Sequence, residues 1–400
     1  MRYVAVLVSA VASILASGAT AAITPDPRAA EATGTLRILV IRATWGPAPS
    51  APGDGRRALD EAAALYSRAS FGRLRLDLDL TPWLAAYPGE TCPTDATERS
   101  RFGRLGELAQ NAARAAGYDL SAYARLVYVL PGSVCGRGGL GLWREVLLAS
   151  PDALEDGLGL VHELGHTFGL PHATAKLCAS CRRIEYGDPL SPMGHGSDDF
   201  TALEKLTLGW ISRIERAPGP GTYTVGAVDE PSEAAQALVF RTAEGEYWVE
   251  HRVKAPHVLA RLVEPNDPRH PVYLRTAFRG QGDGHVELRG VFSVTAASPA
   301  APETELTFAW TDRTAPSAPR LRVAPRLPRA RSAIVRWGAS LELGSGLVGY
   351  RVVVDETTVA RTTRRQAVLA PLARGTHRIT VEAVDRAGNR SRATVRIAVT

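Results

Sequence analysis

In the first half of the chain, segments with the hydrophobic pattern of strands alternate with segments whose apolar residues have helical spacing. TLRILVIRAT (35–44) is a continuous apolar run that predicts a buried strand, and RLRLDLDL (73–80) alternates like a half-exposed strand. A third strand is predicted over 124–132. Apolar residues at helical spacing predict helices over 54–70 and 98–117. Strands that alternate with helices indicate a mixed α/β domain.

After the sequence PGPG the pattern changes to short β-rich runs. TYTVGAV, ALVFRT, EYWVEHRV, PVYLRTAF, HVELRGVFSV and ELTFAWT follow without a helix-length segment between them, which predicts a β-sandwich over 215–312. Strand alternation within EYWVEHRV explains Trp248, Glu250 and His251 more simply than a site does. DRTAPSAP (312–319) is typical of a semi-rigid, proline-rich linker.

The last part of the chain carries a second β pattern. APRLRV, AIVRWGAS, LVGYRVVVD and GTHRITVEAVDRAGNRS make residues 317–400 resemble a fibronectin type III or related bacterial immunoglobulin-like module. Trp337 and Tyr350 match the core aromatic residues of such modules. His377 stands where a tyrosine is expected near the start of the penultimate strand. These modules usually space or tether other domains, and their fold alone assigns no function.

The N-terminus has the pattern of a signal peptide over 1–21. Arg2 supplies a positive start, 4–15 a short apolar region, and 19–21 a small-residue cleavage site. The apolar region is too short to span a bilayer and no other run qualifies, so we expect a secreted protein without a transmembrane segment. A short linker over 22–34 would follow, with no folded or cysteine-containing pro-segment.

Export changes the expected state of the four cysteines. In an oxidising compartment Cys92, Cys135, Cys178 and Cys181 would form two disulfides, with three possible connectivities. We favour Cys178–Cys181 as a local link and Cys92–Cys135 as a link between two loops. A second zinc site at Cys178 and Cys181 would need two more ligands, and a redox role would need a thioredoxin-like context; the sequence shows neither.

The net charge is +6, and almost all of the excess is arginine, since the chain has only three lysines. The arginines are scattered along the sequence, without a run or interleaved aromatic residues that would indicate nucleic-acid binding. We therefore expect a solvated basic surface, with weak attraction to anionic cell-surface polymers as a consequence.

HELGHTFGLPH (162–172) places three of the chain's nine histidines in eleven positions. His162 and His166 are four residues apart, so a helix puts both on one face, where two imidazoles can share one metal ion. Glu163 follows the first ligand and is rotated away from it, so its carboxylate can reach a water molecule instead of the metal.

A third ligand follows where the helix ends. Gly169 tolerates the positive φ that ends a helix, and Pro171 discourages its continuation. The turn can bring His172 under the same metal, which leaves one position open for water, as in catalytic zinc sites. A helix with three solvated histidines would be the alternative.

The sequence after His172 resembles a known family. Met193 in SPMG resembles the Met-turn of metzincin metallopeptidases, and EYGDPLSPMG with FTALEKLTLGWI resembles their gametolysin-type branch. The resemblance covers residues 36–211 and is sharpest over 161–211. It implies a secreted zinc endopeptidase with the three histidines as ligands and Glu163 as the catalytic carboxylate. His195 stands where some metzincins have a tyrosine near the metal, so it is either a further ligand or oxyanion partner or a solvated loop residue.

The expected mechanism is peptide hydrolysis by zinc-activated water with Glu163 as general base. The substrates would be proteins or peptides, such as extracellular matrix or cell-wall proteins. The alternative is a cell-surface or matrix-binding β-sandwich protein with a structural or inactive metal site, but a structural zinc site normally has a fourth protein ligand and no need of Glu163. The sequence indicates neither a calcium site nor an oligomeric state.

The expected fold is therefore α+β. A mixed α/β metzincin-like catalytic domain (35–214) would be followed by two all-β sandwich domains, over 215–312 and 313–400.

Overall fold

The computed structural model describes most of the chain. The described residues are 26–44, 55–87, 98–130, 139–148, 157–178, 180–274, 278–279, 284–323, 326–327 and 333–400. The predicted signal peptide, Cys92 and Cys135 lie outside these residues. No helix among the described residues has the length and apolar character needed to cross a membrane.

The N-terminal part is a five-stranded sheet with helices on both faces. The strand order is β2-β1-β3-β5-β4, parallel except for β4, which runs antiparallel to β5. One face packs against α1 and α3 and the other against α2, which gives two separate apolar cores. The strands are β1 (Gly34–Thr44), β2 (Leu74–Ala85), β3 (Arg125–Val129), β4 (Gly139–Leu142) and β5 (Glu145–Leu148). The helices are α1 (Arg56–Ala69), α2 (Glu98–Ala115) and α3 (Leu158–Thr167), with short 3₁₀ turns at Pro27–Glu31 and Leu120–Ala122.

A seven-stranded sheet follows in the order β7-β6-β13-β12-β11-β10-β8. It draws strands from both sides of residue 214, because β6 pairs in parallel with β13. Its strands are β6 (Thr174–Lys176), β7 (Arg183–Ile184), β8 (Glu215–Arg216), β10 (Leu238–Arg241), β11 (Glu246–His251), β12 (Val258–Val263) and β13 (Pro271–Leu274). The short helix α4 (Ala202–Thr207) starts with a capping box between Thr201 and Glu204.

A five-stranded antiparallel sheet closes the first sandwich. Its order is β14-β15-β16-β17-β9, and aromatic and aliphatic residues of both sheets fill the space between them. The strands are β9 (Gly221–Gly226), β14 (Phe278–Arg279), β15 (His285–Leu288), β16 (Phe292–Ala296) and β17 (Glu303–Trp310). The β-rich pattern of 215–312 thus forms two packed sheets.

Strand β11 differs from the half-exposed strand that alternation predicted. Trp248, Glu250 and His251 are all buried. Trp248 packs in a small core with residues of α4, while Tyr247 and Val249 face the sandwich core. The sheet is covered on both faces, so its central strands have no solvent side.

The C-terminal residues form a second sandwich of a three-stranded and a five-stranded sheet. The orders are β18-β20-β23 and β19-β25-β24-β21-β22, around a core that includes Trp337 and Tyr350. His377 Nε2 bonds to the carbonyl of Ala373 at 2.8 Å, a link back to the upstream backbone like that of a corner tyrosine. The strands are β18 (Leu321–Arg322), β19 (Arg326–Leu327), β20 (Ala333–Trp337), β21 (Leu347–Val354), β22 (Thr357–Thr362), β23 (Gln366–Leu369), β24 (Gly375–Asp385) and β25 (Arg390–Val399).

Candidate metal centre

Helix α3 brings the first two histidines together. His162 and His166 lie one turn apart on one face, with their Nε2 atoms 3.2 Å from each other. The helix is apolar on its other sides, where Leu160, Val161 and Leu164 are buried in the core. Burying this apolar surface fixes the helix, so the two half-buried imidazoles are left facing outward as a pair.

The chain then turns back to supply the third histidine. Gly169 has a φ of 87°, in the region that glycine adopts at helix ends. His172 follows, with its ring 5.3 Å from that of His162 and 4.7 Å from that of His166, centroid to centroid. The three side chains can place donor nitrogens within 4.8 Å of one another, and His195 is not in this group.

The Nδ1 atom of each of the three histidines is within hydrogen-bond distance of its own oxygen partner. The Nδ1 atom of His162 lies 2.8 Å from the carbonyl oxygen of Pro192, and that of His166 lies 2.8 Å from the carbonyl oxygen of Leu170. The Nδ1 atom of His172 lies 2.8 Å from a carboxylate oxygen of Glu185. These partners favour the Nδ1–H tautomer, which leaves Nε2 with a lone pair. Burial lowers the pKa of His162, and lowers that of His166 to about 4, so both rings are neutral near pH 7.

Met193 lies beneath the histidines, fully buried. A Cβ at Gly165 would stand 2.3 Å from its Sδ atom, so only glycine at this position of α3 lets the methionine pack so closely. The Met193 carbonyl accepts the N–H of Ala173 at 2.8 Å, beside the third histidine. The turn at 191–194 therefore supports both the helix and the segment of His172.

Glu163 lies against strand β4. A Cβ at Gly139 would meet the Glu163 carboxylate at 2.4 Å, and one at Gly141 would meet the Glu163 carbonyl at 2.2 Å. These two glycines explain how a β-strand can lie so close to the helix. Burial raises the pKa of Glu163 to about 7, against the opposing effect of a backbone hydrogen bond from Gly141.

Tyr186 is a member of the site that the sequence analysis did not single out. Its ring lies 4.0 Å from that of His172 and 5.6 Å from that of His162, and the residue is 44% exposed. Its φ of 56° lies in the left-handed region, which is unusual for tyrosine. His195 lies close by, with its Nδ1 bonded to the Tyr186 carbonyl at 2.6 Å. The only sequence signal was the position of Tyr186 in EYGDPLSPMG.

A buried ionic network holds the loop before Met193. Arg261 of β12 donates from Nε to Asp188 at 2.7 Å and from Nη1 to Glu250 at 2.6 Å, and all three side chains are buried. Asp188 also accepts the N–H groups of Leu190 and Ser191. Burial would raise the pKa of Asp188, but the charge of Arg261 and these hydrogen bonds hold it below its usual value.

The segment after His172 is fastened in two further ways. Cys178 and Cys181 are joined by a disulfide. Arg183 pairs with Glu264 at 2.7 Å and with Asp267 at 2.5 Å, which ties β7 to the loop between β12 and β13.

Three histidines around one point, a buried glutamate beside the first and a methionine beneath them are typical of a metallopeptidase centre. The model of the gametolysin peptidase M11 family matches residues 53–249. This match contains the whole centre and supports a peptidase of that family and a metallopeptidase-type function. It also runs past residue 214, into strands of the seven-stranded sheet.

Other comparisons add little. A search of curated proteins gives no match. Wild-type OgpA from Akkermansia muciniphila is 11% identical, with a TM-score of 0.26, over 92% of this chain and 92% of that chain. A structure of CbhA fibronectin(III)-like modules from Clostridium thermocellum is 19% identical, with a TM-score of 0.19, over 20% of this chain and 96% of that chain. Likenesses this weak carry no argument about function.

Proposed function

We propose that the protein is a secreted zinc-dependent endopeptidase. The observation that carries this proposal is the convergence of His162, His166 and His172 beside the buried carboxylate of Glu163. Within the described part of the chain no fourth ligand joins these three, which leaves a position open for reaction, whereas structural zinc sites are normally closed by a fourth.

The donor set suits zinc. Three imidazoles, each with its Nδ1 beside an oxygen, present Nε2 atoms of the kind that zinc binds. When bound, zinc acts as a Lewis acid that polarises the scissile carbonyl and makes water more acidic. His162, His166 and His172 would hold the ion, and Glu163 would remain outside the ligand set.

Glu163 is the proposed general base. Its carboxylate takes a proton from the attacking water and then delivers that proton to the nitrogen of the leaving amine. The hydrogen bond from Gly141 and the contact with β4 hold the carboxylate in one place. Burial raises the pKa of the Glu163 carboxylate, and the charge of a bound zinc ion would act in the opposite direction, toward the ionised form that a base requires.

Strand β4 offers a place for an extended substrate. Among the described strands it is the outermost in the order β2-β1-β3-β5-β4, and it lies directly against α3. A peptide that added to the outer edge of β4 would be held by main-chain hydrogen bonds beside Glu163. Such binding would allow cleavage within a chain, because β-addition needs no free terminus.

Tyr186 is proposed as a second catalytic residue. Its ring lies against the rings of two ligands and is open to solvent, so a phenol O–H there can donate to the oxygen that becomes negative during hydrolysis. His195, which bonds to the Tyr186 carbonyl, then has a supporting role in the loop.

Metal analysis combined with Glu163→Gln tests the proposal. We expect the wild-type protein to bind about one zinc ion per chain and to cleave a denatured protein. Glu163→Gln should keep the zinc and lose at least about a hundredfold in kcat/KM, because the base is removed and no ligand is. Mass spectrometry of the products identifies internal cleavage.

Glu61→Gln is a matched control. Glu61 is an exposed residue of α1 that pairs with Arg57 on the same helix, so this variant should retain wild-type activity. Cleavage by Glu163→Gln at the wild-type rate would refute the role of Glu163. A wild-type protein that holds zinc but cleaves nothing would favour the binding-protein alternative.

Export is part of the proposal, on the strength of the N-terminal pattern of 1–21. N-terminal sequencing of the protein from the culture medium should start at Ala22. Retention of residues 1–21 in that protein would argue against a cleaved signal peptide.

A further inference from the structure

The arginines that are scattered in the sequence gather on one face of the C-terminal sandwich. In β25 the residues at every second position point away from the core, as do their neighbours on β24, β21 and β22. We call this outer surface of the five-stranded sheet the arginine face. Its basic residues are Arg351, Arg361, Arg378, Arg390, Arg392 and Arg396.

The strand register brings like charges together on this face. Arg351 lies directly opposite Arg361, and Arg378 directly opposite Arg396. Like charges in directly opposite positions destabilise a sheet. A bound anion would relieve the repulsion within these two pairs.

The carboxylates on the face compensate only part of this charge. Glu382 accepts a hydrogen bond from Arg351 at 2.6 Å, and Glu356 accepts one from Arg378 at 3.0 Å. Six arginines against these two glutamates leave the face strongly positive. It accounts for a large share of the net charge of +6 of the whole chain.

The centre of the face is a shallow, polar depression of about 330 Å³. Arg351, Arg378 and Arg392 line it, and the hydroxyl groups of Thr380 and Thr394, 2.9 Å apart, form part of its floor. Guanidinium groups recognise carboxylate and sulfate groups through paired hydrogen bonds, and threonine hydroxyls can bond to sugar hydroxyls.

We propose that the arginine face binds a linear acidic polysaccharide. Tyr350 of β21 faces the core, and no aromatic side chain among the described positions lies on the outer side of these strands, so the face lacks the stacking surfaces that hold single-stranded nucleic acid. Its apolar side chains, such as Val353 and Val359, are valines, and it presents no described aromatic or leucine side chain of the kind that inserts into a lipid surface. The proposal concerns a surface far along the chain from the histidines and does not depend on the peptidase function.

Heparin, a linear sulfated and carboxylated polysaccharide, is the probe. The dissociation constant of the full-length protein would be measured by calorimetry at an ionic strength of about 0.15 M, and again at higher salt. The test variant is Arg378→Thr/Arg392→Thr/Arg396→Thr, since threonine suits an exposed strand. We expect binding to weaken by at least about tenfold in the variant and to weaken with salt in the wild type.

The opposite sheet supplies a matched control. Arg322→Thr/Arg336→Thr/Arg365→Thr removes the same charge from exposed positions of the same module, including one directly opposite pair, Arg322 and Arg336. This control should change the dissociation constant by less than about threefold. The thermal midpoint of the test variant should equal or exceed that of the wild type at low salt, because the pairing of Arg378 with Arg396 is removed.

Several outcomes would overturn the proposal. Equal losses in the two variants would mean that heparin responds to net charge and not to this face. Tighter binding of a single-stranded oligonucleotide, or of vesicles rich in anionic lipid, than of heparin would contradict the ligand class. Absence of heparin binding by the folded wild-type protein would do so directly.

Discussion

Small side-chain details at the metal centre decide which atoms are available for chemistry. The three oxygens that hold Nδ1 come from three places: the Met-turn, the helix end and the loop that carries Glu185. A shift in any one of these segments would rotate a ligand ring. The orientation of the ligands is thus set by the loop backbone as much as by α3.

Tyr186→Phe tests the most exposed member of the centre. We expect kcat to fall by about ten- to a hundredfold with little change in KM, because the lost hydrogen bond forms only as negative charge develops. Zinc content should be unchanged, since the phenol is not one of the three ligands. Steady-state kinetics on a fluorogenic peptide and metal analysis measure both.

His195→Ala is the companion variant. His195 contacts the loop through the Tyr186 carbonyl, so its loss should cost less than the loss of the phenol hydroxyl. A larger loss of kcat in His195→Ala than in Tyr186→Phe would reverse the two roles.

At the scale of elements, the contact between α3 and the Met-turn depends on one glycine. Gly165→Ala places a Cβ 2.3 Å from the present position of Met193 Sδ. We expect a loss of about 1–3 kcal/mol in the free energy of unfolding from overpacking, together with weaker zinc binding as the turn moves. Urea unfolding and competition with a chelator measure these effects.

The chain offers a control for the effect of alanine itself. Gly103 lies in α2, and a Cβ there has no neighbour within 4 Å. Gly103→Ala should stabilise the protein by about 0.5–1 kcal/mol, because alanine is the better helix former. If Gly165→Ala were as well tolerated, close packing on Met193 would not explain the glycine.

Arg261 links the sandwich to the Met-turn loop. Arg261→Met leaves Asp188 and Glu250 buried without their cation, so we expect a loss of about 3–5 kcal/mol in the free energy of unfolding. Arg216→Met removes a more exposed ion pair with Glu246 from the same sheet and should cost less than about 1 kcal/mol. Urea unfolding measures both losses. Similar values in the two variants would show that the buried network stabilises the fold no more than an exposed ion pair does.

The elements that sequence patterns predicted well are those whose burial is regular. The strand predicted over 35–44 is β1 (Gly34–Thr44), and the helix predicted over 54–70 is α1 (Arg56–Ala69). Strand β1 is buried on both faces and is therefore a continuous apolar run, while α1 buries one face against a single core. The spacing of the three histidines likewise predicted their convergence, because helix geometry and a glycine turn determine it locally.

Features that depend on distant partners were not predictable. Strand β6 is three residues long and exists because β13 lies beside it. Arg261 and Asp188 meet across the fold, and no local pattern relates them. The arginine face was likewise hidden, because arginines that look scattered in sequence align only when strand register is known.

For the whole molecule, the two sandwiches stand in different relations to the metal centre. The first shares a sheet with the segment of His172, while the C-terminal module contacts the first sandwich around Ala243 and Asp312. All the proposed catalytic residues lie between His162 and Met193. A chain ending at residue 314 should therefore keep kcat/KM on a small peptide within about threefold of the full-length value at equal zinc content.

A large loss of activity in the shortened protein would contradict this prediction. A hundredfold loss in the shortened protein, properly loaded with zinc, would show that the C-terminal module helps to build the site. Removal of 215–312 as well should leave no folded protein, because β6 and β7 would lose the sheet to which they belong.

The sheet shared by β6 and β13 also determines the order in which the parts of the metal centre form during synthesis. A polypeptide is made from its N-terminus, so α3 with His162 and His166 is complete while β13 is still to be synthesised. Thr174, two residues after His172, finds its partner Val272 only when the sandwich has been added. Closing so long a loop is slow compared with forming a helix. On the proposed function, the growing chain has two ligands in place long before the third, and it becomes able to cut proteins only near the end of its own folding.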